Sequence, residues 1–225
     1  MQDQASKLRD ISRNRDDEDK AVSSTVMAVT SGKGGVGKSN MSTNLALALV
    51  QYGKKVLLMD FDLGLANVDV LFGLYPRFTL RDVLNGKKKL KDILIEGPEG
   101  LMIIPASSGV EEMVNLSALQ KERLIKDVRS FKNEVDIVLV DTGSGIYADV
   151  VKMLVAANEI ILIVTPEPTS ITDAYAVIKV VSKYKKYPRI KLLINMCKNI
   201  ADAKNTGKKI TEAAKRFLDV EIGEV

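Results

Sequence analysis

From position 25 onward, short apolar runs alternate with longer segments in which apolar residues recur at helical spacing. The apolar runs are nearly all continuous, which is typical of strands covered by helices on both faces of a sheet. The pattern predicts strands at 26–30, 56–60, 101–104, 137–141, 160–165 and 190–196, and helices at 38–52, 117–132, 148–157, 170–186 and 202–218. We therefore predict an α/β fold, a doubly wound, mostly parallel β-sheet with helices on both faces.

The two ends of the chain depart from this pattern. Residues 1–24 are polar and dense in charge, with too little apolar surface to order themselves alone. We predict a mobile N-terminal arm at 1–24, followed by one domain at 25–225. At the other end a new apolar segment starts at Val220, and the sequence stops at Val225. The segment has the pattern of an edge strand with nothing after it, so we expect a shortened chain.

The amino-acid composition limits which side chains can take part in a reaction or bind a metal. With 225 residues, 46% of them apolar, the chain can bury the core of one domain. It has no histidine, which excludes imidazole base catalysis and His-ligated metals, and its lone cysteine, Cys197, excludes an internal disulfide. No window approaches the roughly 20 apolar residues of a membrane span. We expect a cytoplasmic protein that works with carboxylates, lysines, hydroxyls and backbone amides.

Charge is unevenly distributed along the chain. The formal net charge is +4, but positions 179–216 hold twelve Lys or Arg against two acidic residues, a local net charge of +10. Such a run is either a solvated face on two late helices or a surface for lipid or nucleic acid. The sequence leaves both interpretations open.

A glycine-rich loop separates the first predicted strand from the first predicted helix. Residues 32–39 read Gly-Lys-Gly-Gly-Val-Gly-Lys-Ser and satisfy the pattern G-x-x-x-x-G-K-[ST]. Glycines let backbone N–H groups approach phosphate oxygens, and the start of a helix favours negative charge. We predict that Lys38 reaches the β- and γ-phosphates of a nucleotide and that the Ser39 hydroxyl ligates Mg²⁺. The other predicted nucleotide contacts are Gly34, Gly35, Val36, Gly37 and Asn40. An ordinary glycine-rich turn is the alternative.

Carboxylates stand at the ends of two predicted strands, where open α/β sheets bind ligands. Asp60 and Asp62 end the second strand, and Asp141 ends a run of four apolar residues, the Walker B form. We predict that Asp141 binds Mg²⁺ through water. Asn195 ends a later strand, and its amide either bonds adenine or simply forms a turn.

The stretch Lys-Gly-Gly-Val-Gly-Lys-Ser at 33–39 resembles the deviant Walker A sequence of the MinD/ParA family of ATPases. The resemblance implies that Lys33 reaches across a dimer to the nucleotide of the partner and stabilises charge there. It also implies that Asp62 orients the attacking water, that Asp60 helps to hold the Mg²⁺ environment, and that Asn195 binds adenine. The implied ligands are ATP or ADP and Mg²⁺. The implied catalytic residues are Lys33, Lys38 and Asp62, and the implied metal-site residues are Ser39, Asp60 and Asp141.

The N-terminal arm carries a second family pattern. Residues 3–9 read Asp-Gln-Ala-Ser-Lys-Leu-Arg and resemble the D-Q-A-x-x-L-R activation motif of the FlhG branch of this family, also called FleN or YlxH. That branch sets flagellar number and placement, and its motif stimulates the GTPase FlhF. The resemblance implies that Gln4 reaches the nucleotide site of FlhF, because a glutamine amide can both donate to phosphate and accept from water. The residues implied in activation are Asp3, Gln4, Ala5, Leu8 and Arg9.

The leading hypothesis is a slow ATPase switch that dimerises on ATP, activates FlhF and regulates flagellar number and placement, with flagellar C-ring proteins as further partners. The membrane-targeting helix of the family is C-terminal, and the sequence ends before such an element. We therefore expect peripheral membrane association only of a longer form. The alternative is a ParA-like DNA-partition ATPase that binds DNA through the basic region 179–216. The motif at 3–9 argues against a nucleic-acid partner.

Overall fold

A computed structural model describes residues 24–62, 67–106 and 120–223, apart from 121–123, 125 and 129. The described strands form one sheet, and their bounds are β1 (Thr25–Thr30), β2 (Val56–Phe61), β3 (Ile95–Glu96), β4 (Met102–Ile104), β5 (Ile137–Thr142), β6 (Glu159–Val164) and β7 (Ile190–Ile194). Their order across the sheet is β3-β4-β2-β5-β1-β6-β7. Neighbours are parallel except β3 and β4, which pair antiparallel.

Helices connect the strands and cover the sheet. The α-helices with defined bounds are α1 (Lys38–Gln51), α2 (Val68–Phe72), α3 (Leu80–Leu84), α4 (Ala148–Ala156), α5 (Pro168–Tyr184) and α6 (Ile200–Leu218). Short 3₁₀ turns occur at Leu90–Ile93, Pro98–Gly100 and Ser130–Asn133. The predicted fold is confirmed.

The core explains why the strand sequences are apolar without alternation. Val138 and Val140 of β5 belong to one apolar cluster and Leu139 to a second, and all three side chains are fully buried. Successive side chains of a strand point to opposite faces. The two clusters therefore sandwich the sheet, as expected for a parallel sheet with helices on both sides.

Three short elements between β2 and β4 were not predicted. The helices α2 and α3 have five residues each, and β3 has two. Elements of this length show no helical or strand periodicity. The start of α3 is fixed locally, because the backbone N–H of Thr79 donates to the Asp82 carboxylate in a capping box.

The ends of the sequence are covered only in part. Of the predicted arm at 1–24, all but Ser24 lies outside the described residues. The predicted helix at 117–132 also lies partly outside them, and its described end is the 3₁₀ turn Ser130–Asn133. Beside β7, the backbone N–H of Gly223 donates to the Ile190 carbonyl at 3.1 Å, so the segment after α6 meets the sheet edge. Among the described helices, none combines the length and apolarity needed to cross a bilayer.

Candidate functional site

The loop from β1 to α1 forms one wall of a cavity of about 460 Å³ at the carboxyl end of the sheet. Gly35 and Gly37 have φ angles of 77° and 88°, in the left-handed region that favours glycine. Gly37 is the N-cap of α1, so the first N–H groups of that helix lie beside the cavity. The cavity is lined by Ser31, Gly34, Gly35, Gly37, Lys38, Ser39, Asn40, Asp62, Asn67, Val70, Leu71, Ser144 and Met196.

Lys38 lies between two carboxylates. Its Nζ is 3.7 Å from Asp141 Oδ1 and 4.0 Å from Asp62 Oδ2, and its side chain is 9% exposed. A buried ammonium needs compensating charge, and the two acids supply it at the cavity wall. Three predicted residues from distant positions therefore meet in one cluster.

Three neighbouring strands supply this cluster. The order β2-β5-β1 places the end of β1, which leads into the glycine loop, next to the end of β5, which carries Asp141. On the other side, Asp60 of β2 is the register partner of Asp141. The strand ends therefore deliver the loop and both acids to the same edge.

Asp141 is buried and only partly satisfied. Its Oδ1 accepts a hydrogen bond from the Ser42 hydroxyl at 2.8 Å, whereas its buried Oδ2 accepts none from the described residues. Burial raises the pKa of Asp141, while the charge of Lys38 and the hydroxyls of Ser39 and Ser42 lower it. A buried carboxylate oxygen without a partner is expected to bind a cation or a water.

Asp60 holds the chain that leaves β2. Its Oδ1 accepts from the backbone N–H of Asp62 at 3.0 Å, and its Oδ2 accepts from those of Asn67 and Val68 at 3.0 and 3.2 Å. Burial raises the pKa of Asp60 to about 7, although these backbone hydrogen bonds oppose the shift. Asp60 thus positions Asp62 and the start of α2. This anchoring role was not predicted. The implied role of Asp60 in holding the Mg²⁺ environment stays a prediction.

Lys33 lies on the exposed side of the loop. Its Nζ donates to the Glu167 carboxylate and is 3.5 Å from Thr169 Oγ1, both at the start of α5. The side chains of Lys33 and Glu167 are 40% and 56% exposed. The backbone of the loop also meets α5, since a Cβ on Gly32 would be 2.4 Å from the carbonyl carbon of Asp173.

Asn195 lies against the loop and not on the cavity wall. Its Nδ2 donates to the Val36 carbonyl at 2.9 Å and would be 2.6 Å from a Cβ on Gly37. The next residue, Met196, lines the cavity and has a φ of 57°, which is uncommon outside glycine. The predicted adenine contact of Asn195 stays a prediction, and Met196 is a cavity residue that the sequence analysis missed.

The donor set fits a magnesium nucleotide. Within the described ranges, no three or more His, Cys, Asp or Glu side chains are grouped to hold a metal ion by themselves. Magnesium usually takes only one or two protein ligands, with water and phosphate oxygens completing its shell. The Ser39 hydroxyl at the cavity and the unpaired Oδ2 of Asp141 suit that partial role.

Other predicted residues fall outside the structure or were missed. The five residues implied in partner activation lie outside the described residues. Ser42 was not predicted, although it follows Lys38 by four positions and so shares its helix face. Glu167 and Thr169 were missed because no local pattern links them to a loop more than 130 residues away.

Comparison with known proteins identifies the family. A family profile described as an AAA domain matches residues 24–194. The antiactivator FleN of Pseudomonas aeruginosa is 49% identical over 195 residues, 87% of this chain and 70% of FleN. The flagellum site-determining protein YlxH of Helicobacter pylori is 37% identical over 97% of this chain and 74% of YlxH. The chain belongs to the MinD/ParA family of ATPases.

A solved structure of a family member supports the same assignment. The septum site-determining protein MinD of Pyrococcus horikoshii, complexed with Mg-ADP, has a TM-score of 0.66 and 30% identity. The match covers 75% of this chain and 70% of that one. The predictions of a P-loop fold and of an ATPase most like the FlhG branch are therefore confirmed.

Proposed function

We propose that this chain is a slow Mg²⁺-dependent ATPase switch that dimerises on ATP and regulates flagellar number and placement. The observation that carries the proposal is the buried amine of Lys38, held between Asp62 and Asp141 beside a glycine-walled cavity. A fixed cation next to free helix-start amides is a site for the phosphates of a nucleotide. Kinship with FleN and YlxH supports the flagellar role.

Each residue of the cluster has a separate task in this proposal. The backbone N–H groups of Gly34, Gly35 and Gly37 bind phosphate oxygens, and Lys38 offsets charge on the β- and γ-phosphates. Bound Mg²⁺ supplies further charge neutralisation, with Ser39 as its ligand and Asp141 holding its water. Asp62, which is partly exposed at the cavity wall, orients the attacking water. Asn195 and the adjoining Val36 border the base.

The rim of the cavity supports dimerisation. Val70, Leu71 and Met196 line the cavity, and their side chains are 71%, 47% and 61% exposed. Exposed apolar groups around a polar site indicate a surface that another protein covers. Lys33 lies on the glycine-rich loop that forms one wall of this cavity, and its side chain is sufficiently exposed to reach a second copy. We propose that ATP joins two copies across this face and that each Lys33 reaches the nucleotide of the other.

Dimerisation is tested on the full chain by light scattering with ATP and with ADP. Asp62→Ala is expected to arrest hydrolysis and accumulate the ATP dimer, while Lys33→Ala prevents it. Lys208→Ala, an exposed lysine on α6, is the matched control and should dimerise as the wild type does. The proposal fails if ATP yields no dimer in the wild type or in Asp62→Ala, or if Lys33→Ala dimerises normally.

The output of the switch is a second step of the proposal. We propose that Asp3, Gln4, Ala5, Leu8 and Arg9 activate FlhF, with Gln4 at its nucleotide. FlhF and the flagellar C-ring proteins are then cytoplasmic partners of the switch, and the membrane surface is a site of peripheral association. GTP turnover by FlhF should rise with the wild-type chain and with the control Gln2→Ala, but not with Gln4→Ala. Loss of all stimulation, together with ATP-dependent DNA retention at low salt, would favour the DNA-partition alternative.

A further inference from the structure

A second cavity lies at the amino edge of the sheet, at the opposite end of the strands from the nucleotide cavity. Its volume is about 590 Å³. Its walls are the segment 186–191, which leads from α5 into β7, Glu159 at the start of β6, and residues that follow α6. We call it the basic cavity, because lysine and arginine side chains are prominent in its wall. The proposed ATPase cycle does not use it.

Three cations in and beside the basic cavity have no carboxylate partner within the described part of the chain. Lys186 and Arg189 are exposed in its wall, and Lys186 Nζ lies 5.3 Å from the ring centroid of Tyr187. Lys185 is half-buried next to them, and its Nζ donates to the Ala157 carbonyl. Burial and the positive charge of Arg189 lower the pKa of Lys185. Lys185 and Arg189 therefore repel each other, and a bound anion relieves this repulsion.

The acids in the wall do not neutralise these cations. Glu159 pairs with Lys191 at 2.8 Å, and Glu221 pairs with Lys215 at 3.6 Å. Asp219, the C-cap residue of α6, forms no ion pair with a described residue. Three unpaired cations and one unpaired acid leave a net charge of +2 at the basic cavity. The partner that fits this surface is therefore negatively charged.

The start of β1 brings the N-terminal residues close to this cavity. The backbone N–H of Asn158 donates to the Val26 carbonyl at 2.8 Å, and the Asn158 side chain accepts from the Val26 N–H. Because β1, β6 and β7 are neighbours and strands are about 5 Å apart, the start of β1 is about 10 Å from the start of β7. An acidic stretch, Asp-Asp-Glu-Asp at 16–19, precedes Ser24 by five to eight positions, an extended length of about 17–27 Å. The stretch can therefore reach the basic cavity.

We propose that this acidic stretch binds the basic cavity of its own chain, with its carboxylates on Lys185, Lys186 and Arg189. Four consecutive acids match the positive charge of the cavity, and an arginine can bind a carboxylate through two parallel hydrogen bonds. A short tether favours the same chain over a second copy, since it gives the stretch an effective concentration in the millimolar range. The nucleotide cavity is at the other end of the strands, so the docked stretch leaves the proposed dimer face uncovered.

Docking also restrains the residues at the start of the chain. Arg9, the last residue of the proposed FlhF-activating motif, precedes Asp16 by seven positions, so it stays within about 24 Å of the docked stretch. The contact thereby limits which surfaces of a partner the motif can meet. This consequence rests on the proposed function, whereas the docking itself does not.

Zero-length cross-linking of the nucleotide-free full chain with a carbodiimide tests where the stretch binds. The reagent joins a carboxylate to an amine only when the two are in contact, and mass spectrometry locates the bond. We expect links from 16–19 to Lys185 or Lys186. In an equal mixture of ¹⁴N- and ¹⁵N-labelled chains, each link should join residues of the same isotope. The proposal is overturned by an absence of these links, by links to the lysines at 87–89 in their place, or by links between isotopes.

Tryptic cleavage after Lys20, directly behind the stretch, measures how strongly the contact forms. An exposed ion pair shifts an equilibrium by about 1.4- to 5-fold, so Lys186→Gln with Arg189→Gln should accelerate cleavage by about 2- to 25-fold. The matched control removes two exposed lysines near the carboxyl edge, Lys198→Gln with Lys204→Gln, and should be cleaved at the wild-type rate. At 1 M salt, where the Debye length is about 3 Å, the difference should vanish.

Neutralising the stretch provides a readout that changes no residue of the domain. This variant carries Asp16→Asn, Asp17→Asn, Glu18→Gln and Asp19→Asn together. Acetylation of Lys186 by an amine-reactive ester should rise by about 1.4- to 5-fold in it, and acetylation of Lys198 should not change. Unchanged acetylation of Lys186, or equal cleavage of the wild type and of Lys186→Gln with Arg189→Gln, overturns the docking. Neither measurement uses ATP or FlhF, so such a failure leaves the proposed ATPase switch standing, and failure of the switch leaves the docking in place.

Discussion

Two glycines of the phosphate-binding loop differ sharply in the space around them, and an alanine at each tests that difference. A Cβ on Gly32 would lie 2.4 Å from the carbonyl carbon of Asp173 and 2.6 Å from its carbonyl oxygen. These are atoms of α5, so relief requires the loop or the helix to shift by about an ångström, given ordinary carbon contacts of about 3.5 Å. A Cβ on Gly34 would meet only Ser144 Oγ, at 3.7 Å.

The expected magnitudes follow from these contacts. Overpacking of this kind costs about 1–3 kcal/mol. An alanine also reduces the entropy of the unfolded chain, which stabilises the fold by about 0.4–1 kcal/mol at both sites. Gly32→Ala should therefore lose about 1–2 kcal/mol, and Gly34→Ala should be neutral or slightly more stable. The two variants should differ by about 2 kcal/mol, or roughly 4–8 °C in Tm for a chain of this size.

Urea unfolding of the nucleotide-free proteins, followed by circular dichroism, measures this difference without contributions from ligand binding. The midpoint should fall for Gly32→Ala and not for Gly34→Ala, while the slope stays the same in both. Equal midpoints would refute the close packing of the loop on α5. A loss confined to Gly34→Ala would refute the reasoning more strongly, since that site has room for the methyl group.

Two further predictions concern the buried acids. The pKa of Asp60 is raised from 3.8 to about 7 in the folded state, so between these pH values the folded state binds more protons than the unfolded chain. The stability of the fold should therefore fall as pH rises through that range and level off above it. The unfolding free energy of the wild type minus that of Asp60→Asn, measured with a chelator present, should therefore fall by up to about 1.4 kcal/mol per pH unit from pH 5 to 7, and a flat difference would contradict the shift. Asp141→Asn should make the nucleotide-free chain less stable, because it removes one of the two carboxylates beside the buried Lys38 ammonium, although the amide retains an oxygen for Ser42. Calorimetry with Mg²⁺ and ADP should show the wild-type rise in Tm but none in this variant, and an equal rise in both would exclude Asp141 from the metal site.

The features of the fold and of the site that could be predicted are those encoded by residues close together in the sequence. The glycine loop occupies eight consecutive positions, and the buried strands are continuous apolar runs, so the loop, the sheet and the acids at its edge could all be located. Ser42 could also have been found, because residues four apart share a helix face. The helices α2 and α3 escaped because five residues show no period.

Contacts that depend on how distant segments pack could not be predicted. The partner of Lys33 is 134 positions away, and no spacing rule connects the two residues. The role of Asp60 depends on the path of the chain after β2, which brings the backbone N–H groups of Asn67 and Val68 back to its carboxylate. An acid at a strand end predicts a ligand site, but it does not distinguish a group that binds the ligand from one that shapes the backbone.

Because β2, β5 and β1 are neighbours, the residues that handle phosphate are separated from the outer strands of the sheet. The phosphate-handling loop, its lysine and the acids all come from the middle of the sheet, whereas β3 and β4 lie outside it. A change of sequence on that flank leaves the hydrolytic centre in place. Substitutions in these outer strands can therefore alter which partner the protein binds, while the residues at the ends of β2, β5 and β1 keep their arrangement.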